Sequence, residues 1–225
     1  MGYTKKYKKR SYAKKSKAPR STQSLYKRTT DIKRSAPFPG IAYRTLPYSY
    51  LQTGISGSAT ASAQVFRLNS LYDPDMTGAG AQPYGHDSLA ALYYRYCVQG
   101  VTISAQVVNN STTSCLLYCA LPSDPTNSIT TQADLGSELP GAIFALIPPD
   151  SSKNIKMKID FKKLLSKDIV DDDNWAAAFG DNPGNPYFLY TYVQAADKVN
   201  TGSYAIKYTI DYNTKVSEAK PLLPS

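Results

Sequence analysis

The sequence is poor in the residues that most enzyme sites need, with one histidine, one tryptophan and three cysteines among 225 residues. A serine or cysteine triad would have to use His86 as its base, and His86 lies in a Gly and Pro loop beside Asp87. A cupin-like metal site needs two or three histidines. We therefore expect no enzyme activity and no cofactor. Loop hydrogen bonding is the favoured role for His86, with a pH-sensitive subunit contact as the alternative.

The cysteines are an odd number and form no CxxC pair, which argues against a disulfide framework and against a zinc site. Cys115 and Cys119 stand four residues apart in a strand-like run, so both should lie on one face with Leu117 between them. We expect reduced thiols, including Cys97, packed in the core.

Ca²⁺ is one other metal to consider, because a run of three aspartates could help to bind it at a subunit contact, and so could a separate pair of aspartates. Helix capping and loop solvation are the favoured interpretation, and we expect no metal site. The residues concerned are Asp171, Asp172, Asp173, Asp73 and Asp75.

Long apolar runs are also missing. No stretch approaches the roughly 18 consecutive apolar residues of a membrane span, and the N-terminus has no apolar region of a secretory signal. We expect a protein that does not insert into membranes and is kept in the cytosol or nucleus.

Positive charge is plentiful but confined to one end. Residues 1–34 hold 13 of the 26 Lys and Arg side chains and one acid, Asp31, for a net charge of +12. The other 191 residues carry 13 basic and 16 acidic side chains, for a net charge of −3. Residues 1–35 lack hydrophobic periodicity and repel themselves, so we expect them to be disordered until a polyanion neutralises them. The predicted organisation is a basic nucleic-acid-binding arm over 1–35 and a folded domain over 36–225.

The arm should bind nucleic acid through counterion release, which is strong, salt-sensitive and independent of base sequence. Tyrosines between the basic residues could stack on unpaired bases, which favours a single strand over a duplex. A solvated tail and a nuclear localisation signal are the alternatives, and import can coexist with nucleic-acid binding. The candidate nucleic-acid-binding residues are Lys5, Lys6, Lys8, Lys9, Arg10, Lys14, Lys15, Lys17, Arg20, Lys27, Arg28, Lys33, Arg34, Tyr3, Tyr7 and Tyr12.

The folded domain contains eight strand-like runs and few helical ones. We predict short helices at 88–93, after the capping candidate Asp87, and at 174–179, capped by Asp172 or Asp173 and ended by Gly180. Too few helices remain to connect parallel strands, so the fold class is all-β: an eight-stranded antiparallel jelly-roll sandwich. The runs are 41–51, 63–71, 94–107, 114–121, 141–147, 154–161, 187–194 and 204–212.

Side-chain alternation is clearest in three of these runs. The runs 154–161 and 204–212 place apolar residues at every second position, as half-buried strands do. In the third run the apolar positions are even as far as Val98 and odd from Val101. This change of phase predicts a β-bulge at Gly100.

The segment 66–100 (FRLNSLYDPDMTGAGAQPYGHDSLAALYYRYCVQG) resembles the capsid proteins of small circular single-stranded DNA viruses, of the circovirus-like group that encodes a replication protein. Three pieces carry the resemblance: the strand ending in NSLYDPD, the Gly and Pro loop 78–85, and the short helix that leads into LYYRY. The basic arm is similar as well.

The resemblance implies a jelly-roll capsid subunit that self-assembles into a small icosahedral T=1 shell of sixty copies around a circular single-stranded DNA genome, with the arm inside. It implies a location in the virion and, during assembly, in the host nucleus. Nuclear import receptors and a host surface receptor would be further partners. The preference for DNA rests on the resemblance alone, because nothing in the residues reads a 2′-hydroxyl. The alternative is a cellular jelly-roll binding module, lectin-like or nucleic-acid-binding, with a basic localisation tail.

Overall fold

A computed structural model describes residues 38–57, 62–78, 80–121, 142–170, 172–197, 199–200 and 202–221. In this part of the chain, neither helix has the length and apolarity that a membrane span requires. The elements are β1 (Ile41–Gly57), β2 (Ser62–Arg67), α1 (His86–Leu92), β3 (Tyr93–Asn109), β4 (Cys115–Ala120), β5 (Ile143–Ile147), β6 (Ser151–Asp160), α2 (Phe161–Leu165), β7 (Ala177–Ala178), β8 (Phe188–Ala195) and β9 (Gly202–Ala219).

The strands form two antiparallel sheets that pack face to face. The first sheet has the order β1-β9-β3-β6, with β7 paired to β3, and the second has the order β2-β8-β4-β5. Apart from the short β7, each sheet has four strands, and strands far apart in the sequence are neighbours. This arrangement is a jelly roll. The predicted fold class is confirmed, and the two-residue β7 is an addition to the eight expected strands.

β9 lies in the interior of the first sheet because its sequence suits a strand with one buried face. Its alternate side chains, Tyr204, Ile206, Tyr208, Ile210 and Tyr212, are all buried in the core between the sheets. The intervening residues face away from the core. The run at 204–212 therefore has the predicted alternation, and the strand is longer than the run at both ends.

The predicted bulge is also present. Val98 pairs with Thr214 and Gly100 pairs with Asn213, so β3 uses one residue more than β9 at this point. A Cβ atom on Gly100 would lie 2.6 Å from the backbone carbonyl oxygen of Ile159 on β6. Glycine is needed here because the bulged strand approaches its other neighbour, β6, too closely for a side chain.

The helix predictions are partly wrong. α1 begins at His86, two residues earlier than predicted, and its N-cap is Gly85 in the left-handed conformation with φ of 88°. Asp87 lies in the first turn and does not cap the helix. A left-handed cap favours glycine, which has no Cβ to clash, so this helix begins without a side-chain cap.

The predicted helix at 174–179 does not form. Asp172 accepts hydrogen bonds from the backbone N–H groups of Asn174, through its carboxylate at 3.0 Å, and of Trp175, through its carbonyl at 3.0 Å. These bonds close one turn. Ala177 and Ala178 then pair with Tyr96 and Arg95 of β3, and this pairing ends the turn before a second can form.

The sequence analysis missed the helix α2. Asp160 caps it, because its side chain accepts a hydrogen bond from the backbone N–H of Lys163 at 3.3 Å. Phe161 continues the apolar alternation of β6, which is why the pattern predicted a strand there. Its ring is buried against Trp175 instead, with ring centroids 4.9 Å apart.

The cysteines are core residues, as predicted. Cys97, Cys115 and Cys119 are buried and form no disulfide, and Cys115 and Cys119 lie on the inner face of β4 with Leu117. Burial raises the pKa of Cys115 to about 11 and that of Cys119 to about 12. Both thiols are therefore protonated and unreactive at neutral pH.

Candidate nucleic-acid interface

All sixteen candidate nucleic-acid-binding residues of the arm lie outside the described residues, so their role stays a prediction. What the structure describes is the point at which the chain enters the folded domain. Residues 38–40 lead directly into β1, and the hydroxyl of Tyr93 donates a hydrogen bond to the carbonyl oxygen of Pro39 at 3.1 Å. β1 is an edge strand of the first sheet. The arm is therefore joined to the first sheet and not to the second.

The outward face of the second sheet is aromatic. Arg67 is the one charged residue in its four strands, and its guanidinium contacts the Asp73 carboxylate at 2.6 Å. Alternate residues of β4 and β8 form a cluster of their own, separate from the main core. The members of this aromatic face are Tyr118, Ala120, Phe188, Tyr190 and Tyr192, and all are buried.

The outward face of the first sheet is polar and carries lysines. Lys156 and Lys158 on β6 and Lys207 on β9 are exposed, and we call these three residues the lysine face. Between them lie the half-buried hydroxyl side chains of Thr102, Ser104 and Thr209. The sequence analysis missed this surface, because alternation within each strand was visible and the pairing of the strands was not.

The segment 66–100 builds connections between elements. The Asn69 amide donates a hydrogen bond to the carbonyl of Asn185 and accepts one from the N–H of Tyr187, both at 2.8 Å. The Ser70 hydroxyl donates to the Asn182 side chain at 2.6 Å. This part of the motif holds the end of β2 against the segment that leads into β8.

Asp73 and Asp75 are held by neighbouring side chains. Arg67 donates to the Asp73 carboxylate and to the carbonyls of both aspartates, and the buried Asp75 carboxylate accepts from Gln64 at 3.0 Å. Within the described residues, no group of three or more His, Cys, Asp or Glu side chains is placed to hold a metal ion. Asp171 lies outside the described residues.

His86 connects α1 to the end of β7. Its Nδ1 is 3.0 Å from an Asp87 carboxylate oxygen, and its Nε2 is 3.0 Å from the carbonyl oxygen of Phe179. The imidazole is buried and packs edge-on against the Phe179 ring. This arrangement is the loop hydrogen bonding that the sequence favoured, and the pH-sensitive subunit contact stays a prediction.

No family model and no curated protein matches the chain. Among solved structures, it is similar to Cocksfoot mottle virus, at 10% identity over 80% of this chain and 97% of that one with a TM-score of 0.47. It is similar to a semi-empty virus-like particle of the giant freshwater prawn Macrobrachium rosenbergii nodavirus, at 14% identity over 83% and 100% with a TM-score of 0.44. It is also similar to Desmodium yellow mottle tymovirus, at 14% identity over 100% and 99% with a TM-score of 0.42. At TM-scores below 0.5 these likenesses add nothing to the fold assignment, which rests on the strand order.

Proposed function

We propose that the protein is a viral capsid protein that self-assembles into a small icosahedral shell and packages a single-stranded genome through its basic arm. The carrying observation is the separation of charge: a segment of net charge +12 is joined at β1 to a jelly-roll domain whose chain has a net charge of −3. The domain would form the wall of the shell and the arm would neutralise the packaged phosphates. No catalytic step is part of this function.

The magnitude of the arm's charge suits a genome better than a short regulatory site. In a sixty-subunit shell, arms of +12 supply about 700 positive charges, which offset a large part of the phosphate charge on about a kilobase or two of single strand. A protein that reads one short site needs far fewer phosphate contacts.

The genome we propose is circular single-stranded DNA, and the support for DNA over RNA is the resemblance of segment 66–100. The same resemblance supports the virion as the final location and the host nucleus as the place of assembly. Import receptors would bind the Lys- and Arg-rich arm before the genome does, and a host receptor would bind the outside of the shell.

The test is sedimentation and negative-stain imaging of the purified full-length protein, with the ratio of absorbance at 260 and 280 nm recorded before and after nuclease and high salt. Uniform particles that protect nucleic acid from nuclease are the expected result. A small monodisperse species that releases its nucleic acid in salt would contradict the proposal and would favour a cellular binding module with a basic tail. Sequencing the protected nucleic acid, with DNase and RNase digestion in parallel, decides between DNA and RNA.

A further inference from the structure

We propose that the lysine face, Lys156, Lys158 and Lys207, is a second nucleic-acid contact that binds phosphates of the packaged single strand alongside the arm. This inference rests on the proposed packaging function. It assigns the outward face of the first sheet to the genome side of the subunit.

The strand register brings the three lysines onto one surface. Lys158 and Lys156 pair with Thr102 and Ser104 of β3, and Lys207 pairs with Gln106 of the same strand from the other side. Lys156 and Lys158 are therefore about 7 Å apart along β6, and Lys207, two strands away and offset along the sheet, is about 12 Å from Lys156 and about 16 Å from Lys158. The Debye length is about 8 Å at physiological salt, so Lys156 and Lys158 act on a nearby polyanion together, and Lys207 offers a separate contact on the same surface.

The lysines of this face are free of the ion pairs that neighbouring lysines make. Lys162 and Lys163 contact Asp168 and Asp160 at 3.2 and 3.8 Å. No described carboxylate lies within 4.0 Å of an amino group of the lysine face. Two aspartates border it: Asp160, which faces Lys163, and Asp211, which lies opposite Thr102 on β9. The face therefore keeps an excess of positive charge.

The groups between the lysines suit phosphates better than bases. Thr102 and Thr209 offer hydroxyls at the height of the sheet surface, and hydroxyl groups commonly contact phosphate oxygens. The Ser104 hydroxyl donates a hydrogen bond to the Asn154 side chain at 2.8 Å. Base stacking would need exposed aromatic rings, and none of the residues between the lysines is aromatic. A flat sheet surface with hydroxyl side chains and spaced lysines should therefore contact phosphates, and its binding should show no preference for base sequence.

The charge composition of the two sheets gives a second reason to choose this one. Lys156, Lys158 and Lys207 all lie on strands of the first sheet. The second sheet, with one charged residue in four strands, offers no comparable attraction.

The test is the salt dependence of binding to oligothymidylate of about 30 nucleotides. Affinity of the full-length, unassembled protein would be measured by fluorescence anisotropy from about 50 to 200 mM salt. Each phosphate contact contributes about −0.7 to the slope of log affinity against log salt for a single strand, so replacing all three lysines by glutamine should make the slope shallower by about 2. The wild-type affinity should then fall about 20-fold more than that of the variant across this range.

The control variant removes three exposed lysines elsewhere, with Lys153, Lys162 and Lys167 replaced by glutamine, for the same change in net charge. Its slope should stay within about 0.5 of the wild type. Arginine at the three face positions should preserve the wild-type slope, since arginine keeps the charge. If the triple glutamine variant does not fold, the three single variants are expected to lose about 0.7 each.

The outcomes separate the two proposals. A wild-type protein that shows no salt-dependent binding would contradict the packaging function, and this inference with it. Normal wild-type binding, with equal slopes for the face variant and its control, would overturn the lysine face alone. Equal slopes together with a loss of particles would assign the face to a contact between subunits.

Discussion

Gly100→Ala tests whether the bulge in β3 requires a residue without a side chain. The added methyl group would lie 2.6 Å from the carbonyl oxygen of Ile159, and its other near neighbours are backbone atoms of Ile159 and Asp160. Backbone atoms cannot rotate away as the end of a flexible side chain can. Either β3 and β6 move apart by several tenths of an ångström, or the bulge is lost.

The expected cost follows from two opposing effects. Overpacking a well-packed position costs about 1–3 kcal/mol, and replacing glycine by alanine returns about 0.4–1 kcal/mol by restricting the unfolded chain. Gly180→Ala isolates the second effect, because no other atom lies within 4 Å of a Cβ at that position and its φ is not left-handed. We expect the Gly100 variant to be about 2 kcal/mol less stable than the Gly180 variant.

The assay is unfolding of the full-length, unassembled protein, followed by circular dichroism with heat and with urea. For a domain of this size, 2 kcal/mol corresponds to a difference in Tm of about 4–8 °C. Free energies of unfolding within about 0.5 kcal/mol of one another would refute the reasoning. They would mean that β6 can move away from β3 at this point with little cost in free energy, and that the bulge does not depend on glycine.

Three further predictions concern the arm, the tyrosines and the thiols. Deleting residues 1–34 should leave the unfolding transition of the domain unchanged, because every described strand is retained, and should abolish nuclease-protected nucleic acid; an insoluble product would show that the arm is structural. Burial raises the pKa of Tyr48 to about 12 and that of Tyr96 and Tyr212 above the ordinary value of 10.0. The unfolded chain thus loses these protons first, so stability is intact below about pH 10 and declines towards pH 12. Tyrosinate absorbance should accordingly rise together with the loss of circular dichroism, and ionisation of all tyrosines in a folded protein would contradict the assignment. Thiol reagents at neutral pH should modify Cys115 and Cys119 only after unfolding, with the denatured protein as the reference for full reaction, and rapid labelling of the native protein would contradict their burial.

The alternation of apolar and polar side chains along the sequence was sufficient to predict much of the fold. Alternation in β9 follows directly from the burial of Tyr204 to Tyr212 on one side, and the change of phase after Val98 reports an extra residue. Both signals depend only on which side of a strand faces the core. The order of apolar and polar residues within that one strand is enough to show this. The jelly-roll assignment followed because these runs were numerous and helical runs were few.

What could not be predicted depends on contacts between segments that are distant in the sequence. Ala177 and Ala178 suit a helix as well as a strand, and their pairing with β3 decides the matter. Phe161 fits the alternation of β6, but Asp160 caps a helix and the ring packs on Trp175. The lysine face combines β6 and β9 across β3, so it required the strand order.

The pairing of the first sheet also bears on when the domain can fold during synthesis. β9 is the last of the described strands to be made, and it lies between β1 and β3, with Ile41 opposite Ser217. The first sheet therefore cannot close until nearly the whole domain has left the ribosome, and until then β1 and β3 lack the partner that separates them. Such long-range pairing slows folding and leaves strand edges open. The basic segment leaves the ribosome before any described strand does, so its charge is exposed to polyanions while the domain is still incomplete.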